Sequence, residues 1–153
     1  MSLKFKDSRG VLTSYQDIID LVKKDYNYEV FIGSDSQAHR KLKRVVYVTC
    51  IVLYCKGKGG RVFMARENKR YANSLRERLM NETWRSLEVA FVLSELLPDN
   101  VELVIHVDVN KNKKYKSSKH YQELVGMVTG QGFECRIKPH AWAAQAVADK
   151  FSK

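Results

Sequence analysis

Hydrophobic periodicity first changes from strand to helix spacing in the middle of this chain, and the changes of period set the order of its elements. Residues 28–65 are rich in β-branched and aromatic residues and predict extended strands. From about residue 73 to 97, apolar residues recur every 3.6 positions and predict one long helix. Strand and helix patterns then alternate to the end, which requires crossover connections and parallel pairing, whereas the earlier strands are joined by short turns and pair antiparallel.

The element order is therefore β-β-β-α-β-α-β-α after a short N-terminal helix. The predicted strands span residues 28–32, 45–54, 61–65, 101–107 and 133–137. The predicted helices span about 14–24, 73–97, Ser117 or Ser118 to Gly130 or Gly132, and 141–151. This order predicts an α/β fold with a mixed five-stranded sheet and helices on both faces, in one domain over residues 1–153 with its core at about 28–151. The first dozen residues are expected to be loosely held.

Two of the predicted strands end in an aspartate. In the first predicted strand the apolar residues are followed by Gly33-Ser34-Asp35-Ser36. In the fourth predicted strand they are followed by Asp108. Ligand sites form at the carboxyl ends of parallel strands, and neighbouring strands lie about 4.8 Å apart. Either aspartate alone is typical of a turn. Together they would repel each other unless a cation lay between them, so the pair predicts a divalent-cation site.

The long helix adds a third candidate acid. At 100° per residue, Glu82 falls inside the apolar stripe, whereas Glu88 falls on the opposite side and is typical of a solvated face. A buried glutamate is costly without a partner. Its partner is either a basic side chain, such as Arg78 or Arg85, or a metal ion held together with the strand-end aspartates.

The last predicted helix carries a fourth candidate. Asp149 shares a stripe with Trp142, so its carboxylate could face the sheet, and His140 lies at the start of that helix. An aspartate near a chain end is also typical of solvated surface, and a histidine after Pro-X is typical of a loop or a helix cap.

Charge indicates a polyanionic partner. The chain has 27 Lys and Arg against 17 Asp and Glu, a formal net charge of +10. Basic residues follow both aspartates, and phosphate contacts of this kind give affinity without sequence readout, while nearby tyrosines could stack on unpaired bases. The candidate nucleic-acid-binding residues are Arg40, Lys41, Lys43, Lys111, Lys113, Lys114, Lys116 and Lys119. A lysine-rich loop that is merely hydrated is the alternative.

Several classes of protein are excluded by what the sequence lacks. Its three cysteines form no CxxC or Cys/His cluster, which argues against a disulfide framework or structural zinc. No apolar run is long enough to cross a bilayer, and we expect a cytoplasmic protein without a membrane partner. Phosphate-binding glycine loops, nucleotide fingerprints and a Ser-His-Asp elbow are absent.

Short motifs give a resemblance that extends from Glu29 onward. The motifs are Gly33-Ser34-Asp35-Ser36-Gln37, Glu82 with Ser86 and Ala90, His106-Val107-Asp108-Val109-Asn110, Lys138-Pro139 and Ala148-Asp149-Lys150. In order and placement they resemble the YkuK-like family of predicted ribonuclease H-like nucleases. The resemblance implies a sheet of order 3-2-1-4-5. It also implies that Asp35, Glu82, Asp108 and Asp149 are the catalytic acids and that they hold one or two Mg²⁺ or Mn²⁺ ions.

The leading hypothesis is therefore a metal-dependent nuclease. It would hydrolyse phosphodiester bonds in RNA, RNA/DNA hybrid or structured DNA by a carboxylate-held two-metal mechanism. His140 and Glu88 are possible auxiliary residues, the first as a proton carrier. One alternative is a non-catalytic nucleic-acid-binding module of the same fold. Another is an interaction protein, in which the acids would be scattered and Glu82 would pair with Arg78 or Arg85.

Overall fold

A computed structural model of the chain describes residues 3–24, 27–70 and 74–143. Seven strands and three α-helices lie in these ranges. The strands are β1 (Phe5–Lys6), β2 (Leu12–Thr13), β3 (Glu29–His39), β4 (Arg44–Cys55), β5 (Gly59–Arg70), β6 (Leu103–Val107) and β7 (Glu134–Ile137). The helices are α1 (Tyr15–Lys24), α2 (Leu75–Leu96) and α3 (Tyr121–Thr129), with a 3-10 helix at Lys116–His120.

The strands form one mixed sheet in the order β2-β1-β5-β4-β3-β6-β7. Its five longest strands, β5-β4-β3-β6-β7, follow the expected 3-2-1-4-5 order. Strands β3, β4 and β5 pair antiparallel, and β3, β6 and β7 pair parallel. The prediction of five strands missed β1 and β2, because two-residue strands are too short to produce a periodic pattern.

The N-terminal residues are held more firmly than expected. Lys6 pairs with Met64 at the outer edge of β5, and Phe5 is only 2% exposed. The Asp7 carboxylate closes the turn to β2 by accepting hydrogen bonds from the backbone N–H groups of Arg9 and Val11, at 2.9 and 3.0 Å. The expectation of a loose start was wrong for residues 3–12.

Strand β3 is also longer than predicted, and this difference matters for the site. The polar run Gly33-Ser34-Asp35-Ser36 was expected to end the strand, but β3 continues to His39. It does so because β4 supplies a partner at every position up to His39↔Arg44. Its parallel neighbour β6 ends earlier, and the last β3–β6 pair is Gly33↔His106. Asp35 therefore lies within β3 but beyond the end of β6.

The main core lies between one sheet face and all three described α-helices. It includes Ile18 and Ile19 of α1, Leu87 of α2, Leu124 of α3 and the strand residue Ile105. A smaller cluster on the other face comprises Phe31, Cys50, Val52, Val62, Val104 and Ala143, with Trp142 packed against it. The helix expected over residues 141–151 would cover this second face, but beyond Ala143 it lies outside the described residues.

Side-chain caps fix two of the helix starts. Ser14 and Asp17 exchange hydrogen bonds at the start of α1, and the Ser74 hydroxyl accepts the backbone N–H of Glu77 at the start of α2. The cap predicted at Ser117 or Ser118 is wrong. A 3-10 turn precedes α3, and Ser117 instead accepts the backbone N–H of Asn110. No helix within the described ranges is long and apolar enough to span a membrane.

Candidate metal centre

The register of the sheet brings Asp35 and Asp108 together. Gly33 pairs with His106, and each aspartate lies two residues further along its own parallel strand. Residues two apart on a strand share one face, so the two carboxylates extend from the same side at the same level. The end of β6 at Val107 opens the space between them.

Two serine contacts hold α2 against β3 and set the position of Glu82. The hydroxyls of Ser34 and Ser86 are hydrogen-bonded at 2.8 Å, and Ser36 Oγ donates to Glu82 Oε2 at 2.5 Å. All three serines are buried. Their small side chains let the helix approach the strand closely, which delivers a carboxylate from the helix to the strand-end aspartates.

Asp35, Glu82 and Asp108 form one compact cluster of acids. Each offers a carboxylate oxygen, and these oxygens all lie within 4.8 Å of one another. Glu82 is only 5% exposed, and its Oε1 is buried with no hydrogen-bond partner among the described residues. Buried polar atoms are rarely left unpaired. An unpaired oxygen beside two further carboxylates fits a hard divalent cation such as Mg²⁺ or Mn²⁺, which prefers oxygen ligands.

Proton affinity rises in this cluster, as expected for acids crowded together. Loss of hydration raises the pKa of Asp35 to about 6, and the negative charge of Asp108 adds to the effect. Burial raises the pKa of Glu82 well above its ordinary value, and Asp35 and Asp108 raise it further. The hydrogen bond from Ser36 opposes this shift. Ionising the cluster is therefore less favourable than ionising separate carboxyls, and a bound cation would offset that cost.

Lys138 is a fourth charged group at the site, and sequence reasoning did not include it among the site residues. Its Nζ lies 2.6 Å from Asp108 Oδ1, and this hydrogen bond raises the lysine pKa. Strand register explains the contact: Val107 pairs with Ile137, so the next residue on each strand, Asp108 and Lys138, is level with the other. Aligning the predicted ends of β6 and β7 was the signal that could have identified it.

Glu82 does not have the arginine partner that one hypothesis required. Arg78 donates from Nε and Nη2 to the hydroxyl and carbonyl oxygens of Ser36, at 3.1 and 2.9 Å. Arg85 donates to Glu67 Oε1 at 2.8 Å and lies over the Tyr47 ring. Neither forms an ion pair with Glu82, and the acids are not scattered. The interaction-protein hypothesis predicted the opposite on both points.

The remaining candidate acids and the histidine are placed differently. Glu88 lies near Tyr15 of α1, where its charge adds to the effect of burial in raising the tyrosine pKa. The structure thus brings Glu82, and not Glu88, to the aspartates. His140 is exposed, and its backbone N–H donates to Ile137 at 2.8 Å. Asp149 lies outside the described residues.

The predicted basic residues lie on the segments that follow β3 and β6, the same two strands that carry or lead to the aspartates. Arg40, Lys41 and Lys43 are exposed in the turn between β3 and β4. The second group, exposed on the segment that follows β6, comprises Lys111, Lys113, Lys114, Lys116 and Lys119. Positively charged segments therefore follow both strands that carry or lead to the aspartates of the negatively charged acid cluster.

His106 was not singled out by sequence reasoning and links β6 to the C-terminal segment. Its Nδ1 accepts the backbone N–H groups of Trp142 and Ala143, both at 3.1 Å, and its ring contacts Phe31 and Trp142. Burial, with a smaller effect of Arg136, lowers its pKa to about 4. A neutral imidazole that accepts two N–H groups positions the start of the segment that leads to Asp149.

Comparison with known proteins agrees with this geometry. The family model described as Ribonuclease H-like matches residues 13–153. The uncharacterized protein YkuK of Bacillus subtilis (strain 168) is 30% identical over 159 aligned residues, covering 92% of this chain and 91% of that protein. The strand order, the cluster of three acids and these two matches lead to one assignment: this chain belongs to the ribonuclease H-like family, among its YkuK-like members.

Proposed function

We propose that the protein is a nuclease that hydrolyses phosphodiester bonds with the help of divalent cations held by Asp35, Glu82 and Asp108. Its substrate would be RNA, an RNA/DNA hybrid or structured DNA. Bound Mg²⁺ or Mn²⁺ would supply Lewis-acid activation of water and of the phosphate. Asp149 completes the acidic set by the family resemblance.

The observation that supports this proposal best is the unpaired Oε1 of Glu82. Folding has placed a buried carboxylate on α2 beside two aspartates, at a cost in desolvation and repulsion that the Ser36 hydrogen bond and the charge of Arg78 offset only in part. Such an arrangement is expected where binding a cation is the purpose of the site, because stability alone would favour an apolar or paired residue.

The chain's own residues have distinct roles in this proposal. The charge of Asp108 raises the pKa of Asp35, and the charge of Asp35 raises the pKa of Glu82. Asp35 thus interacts with both other acids, and we expect its loss to be the most damaging. Ser36 orients Glu82, and Arg78 holds Ser36 in turn. Lys138 neutralises Asp108 in the free protein and presents a cation to an incoming phosphate. His140, which is exposed near Lys138, is a candidate for proton transfer.

Basic segments would bring the substrate to the acids. A cluster of carboxylates repels phosphate, so long-range attraction must come from the lysines and arginines that follow β3 and β6. Tyr115, whose ring lies 5.1 Å from the Lys114 Nζ, is exposed and could stack on an unpaired base.

Cleavage assays test the proposal directly. Labelled RNA, RNA/DNA hybrid, single-stranded DNA and a four-way junction would be incubated with Mn²⁺, Mg²⁺ or chelator. We expect metal-dependent cutting of at least one substrate and its loss in Asp35→Asn. Asp99→Asn is the matched control, because Asp99 is exposed in the turn after α2 and is not a member of the acid cluster. Cutting that persists in chelator, or equally in both variants, would refute the proposal.

A binding module without turnover is the second candidate, and the Lys138–Asp108 ion pair favours it. A lysine that neutralises one acid reduces the need for a metal ion. This candidate predicts tight binding of nucleic acid, no cutting of any of the four substrates with either metal, and no effect of Mn²⁺ on the melting temperature.

A further inference from the structure

The far end of the β3-β4-β5 meander forms an open, strongly basic surface. An open cleft of about 1020 Å³ lies at this end, beyond the acid cluster. The residues that matter here, called the meander end below, are Arg40, Leu42, Lys43, Arg44, Lys69 and Arg70. Five of these are cationic, and no described residue in the cleft lining is acidic. Like charges gathered in this way repel one another and favour a polyanion.

Most of these cations have no acidic partner in the described part of the chain. Lys69 is an exception, since its Nζ lies 3.6 Å from Glu67 Oε2. Arg40, Lys43, Arg44 and Arg70 form no ion pair with another described residue. Leu42 at the tip of the turn is 71% exposed. The meander end therefore presents charge outward and does not use it to stabilise the fold.

Backbone strain adds an independent observation. Lys43 has a φ of 51°, the left-handed conformation that glycine adopts without penalty, and it is the one non-glycine residue with positive φ in the described ranges. The strain is maintained by the turn, in which Lys43 donates its N–H to the Arg40 carbonyl. A lysine at a position that suits glycine suggests that its charge is needed there.

The distance from the acids suggests what binds. Arg40 lies five positions beyond Asp35 in the hairpin, and at about 3.3 Å per residue this spacing is roughly 17 Å. That length corresponds to about 5 base pairs at about 3.4 Å each. Among the residues that the structure describes, the cleft lining contains no aromatic side chain. Single-strand sites combine basic side chains with aromatic rings on which bases stack, whereas contacts to a duplex backbone need no aromatic ring.

We propose that the meander end binds the phosphate backbone of duplex nucleic acid about 5 base pairs from the bond at the acid cluster. This inference rests on the proposed function and deepens it, because it selects a double-stranded substrate over a single-stranded one. The rigid hairpin would then fix the distance between the anchoring contact and the acids.

Lys43→Gly is the informative variant, because it removes the charge and relieves the backbone strain together. Lys56→Ala is the matched control: it removes one exposed lysine from the turn at the opposite end of the same meander. Affinity would be measured by fluorescence anisotropy in chelator, with a labelled RNA/DNA hybrid and a DNA duplex of about 16 base pairs, and with their single strands. Thermal unfolding of each variant would be recorded alongside.

We expect Lys43→Gly to melt at the same temperature or higher and to bind duplex roughly 3 to 10 times more weakly at low salt, with the salt slope reduced by about 0.9. Lys56→Ala should bind like wild type, and single strands should lose little affinity. Trimming the duplex to about 3 base pairs on the hairpin side should abolish the difference between Lys43→Gly and wild type. Equal duplex binding by Lys43→Gly and wild type, or an equal loss for single strands, would overturn the inference.

Failure of this inference can be separated from failure of the proposed function. If wild type cuts nucleic acid with Mn²⁺ but Lys43→Gly binds duplex normally, only the meander end has been assigned wrongly. If duplex binding depends on Lys43 but no substrate is cut, the meander end stands as a binding surface and the nuclease proposal fails.

Discussion

At the scale of single residues, the arrangement of the acids in the site lowers the stability of the fold. Asp35 has its pKa raised to about 6, so its ionised form is less favourable in the folded chain than in the unfolded one. A raised carboxyl pKa stabilises the fold at low pH and loses that contribution as pH rises from about 4 to 6. Loss of stability at neutral pH is thus the consequence of keeping three acids together.

Asp35→Asn should therefore unfold less easily than wild type at pH 7 when chelator is present. Because Asp35 is partly exposed, solvent screening reduces the expected gain to about 1 kcal/mol in the free energy of unfolding. Urea denaturation at several pH values would measure it. The gain should disappear below about pH 4, where the wild-type carboxyl is protonated in both states. A variant less stable than wild type at pH 7 would contradict this account of the cluster.

Lys138 should compete with a cation for Asp108. Lys138→Met removes the ion pair at 2.6 Å and keeps the aliphatic part of the side chain. We expect Mn²⁺ to bind a few times more tightly, since half-exposed ion pairs contribute about 1 kcal/mol or less. Calorimetric titration with Mn²⁺ would measure this, with Lys111→Met as control for the loss of an exposed lysine on the segment that follows β6. Weaker Mn²⁺ binding in Lys138→Met would mean that the lysine assists the site and does not compete.

At the scale of elements, the sequence predicted which strands and helices exist better than where they end. The β3 error arose because Gly33-Ser34-Asp35-Ser36 is polar, and polarity is read as a turn. In the fold its backbone pairs with β4 while its side chains serve the site. Asp35, Asp108 and Glu82 were predictable from strand ends and helix phase. Ser36, Arg78 and His106 were not, because their roles depend on contacts between elements distant in sequence.

His106 should make the attachment of the C-terminal segment sensitive to acid. Its pKa in the fold is about 4 against an ordinary value of 6.5, so its contribution is complete above pH 6.5 and is lost as pH falls toward 4. The loss is at most about 3 kcal/mol. His106→Gln should be less stable than wild type at pH 7.5, and the gap should narrow by pH 5 in urea denaturation. A gap that widens with acid would show that the charged imidazole is the stabilising form.

At the scale of the whole molecule, the chain has a net positive charge, whereas the candidate site is negatively charged. A net charge of +10 surrounds a cluster of carboxylates, with lysines and arginines on the segments that follow β3 and β6. The excess was visible from composition alone. The division of the basic residues between the turn after β3 and the segment after β6 was predictable in part, because both basic runs follow the candidate aspartates in the sequence. The position of the basic turn between β3 and β4 was not predictable, because it depends on the unexpected length of β3.

Binding of nucleic acid should consequently weaken steeply with salt. If about 5 phosphates are contacted, the logarithm of the association constant should fall with a slope of roughly −4 to −5 against the logarithm of salt concentration. Anisotropy titrations of a hybrid duplex in chelator at several salt concentrations would measure it. A slope near zero would contradict a phosphate-tracking surface.

The most direct test of the account is a crystal structure of the protein grown with Mn²⁺ and recorded at a wavelength where manganese scatters anomalously. We predict an anomalous peak within about 2.5 Å of one oxygen each of Asp35, Glu82 and Asp108, with Lys138 Nζ moved away from Asp108. A map with manganese elsewhere but none at these three carboxylates, and with the Lys138–Asp108 ion pair intact, would contradict it.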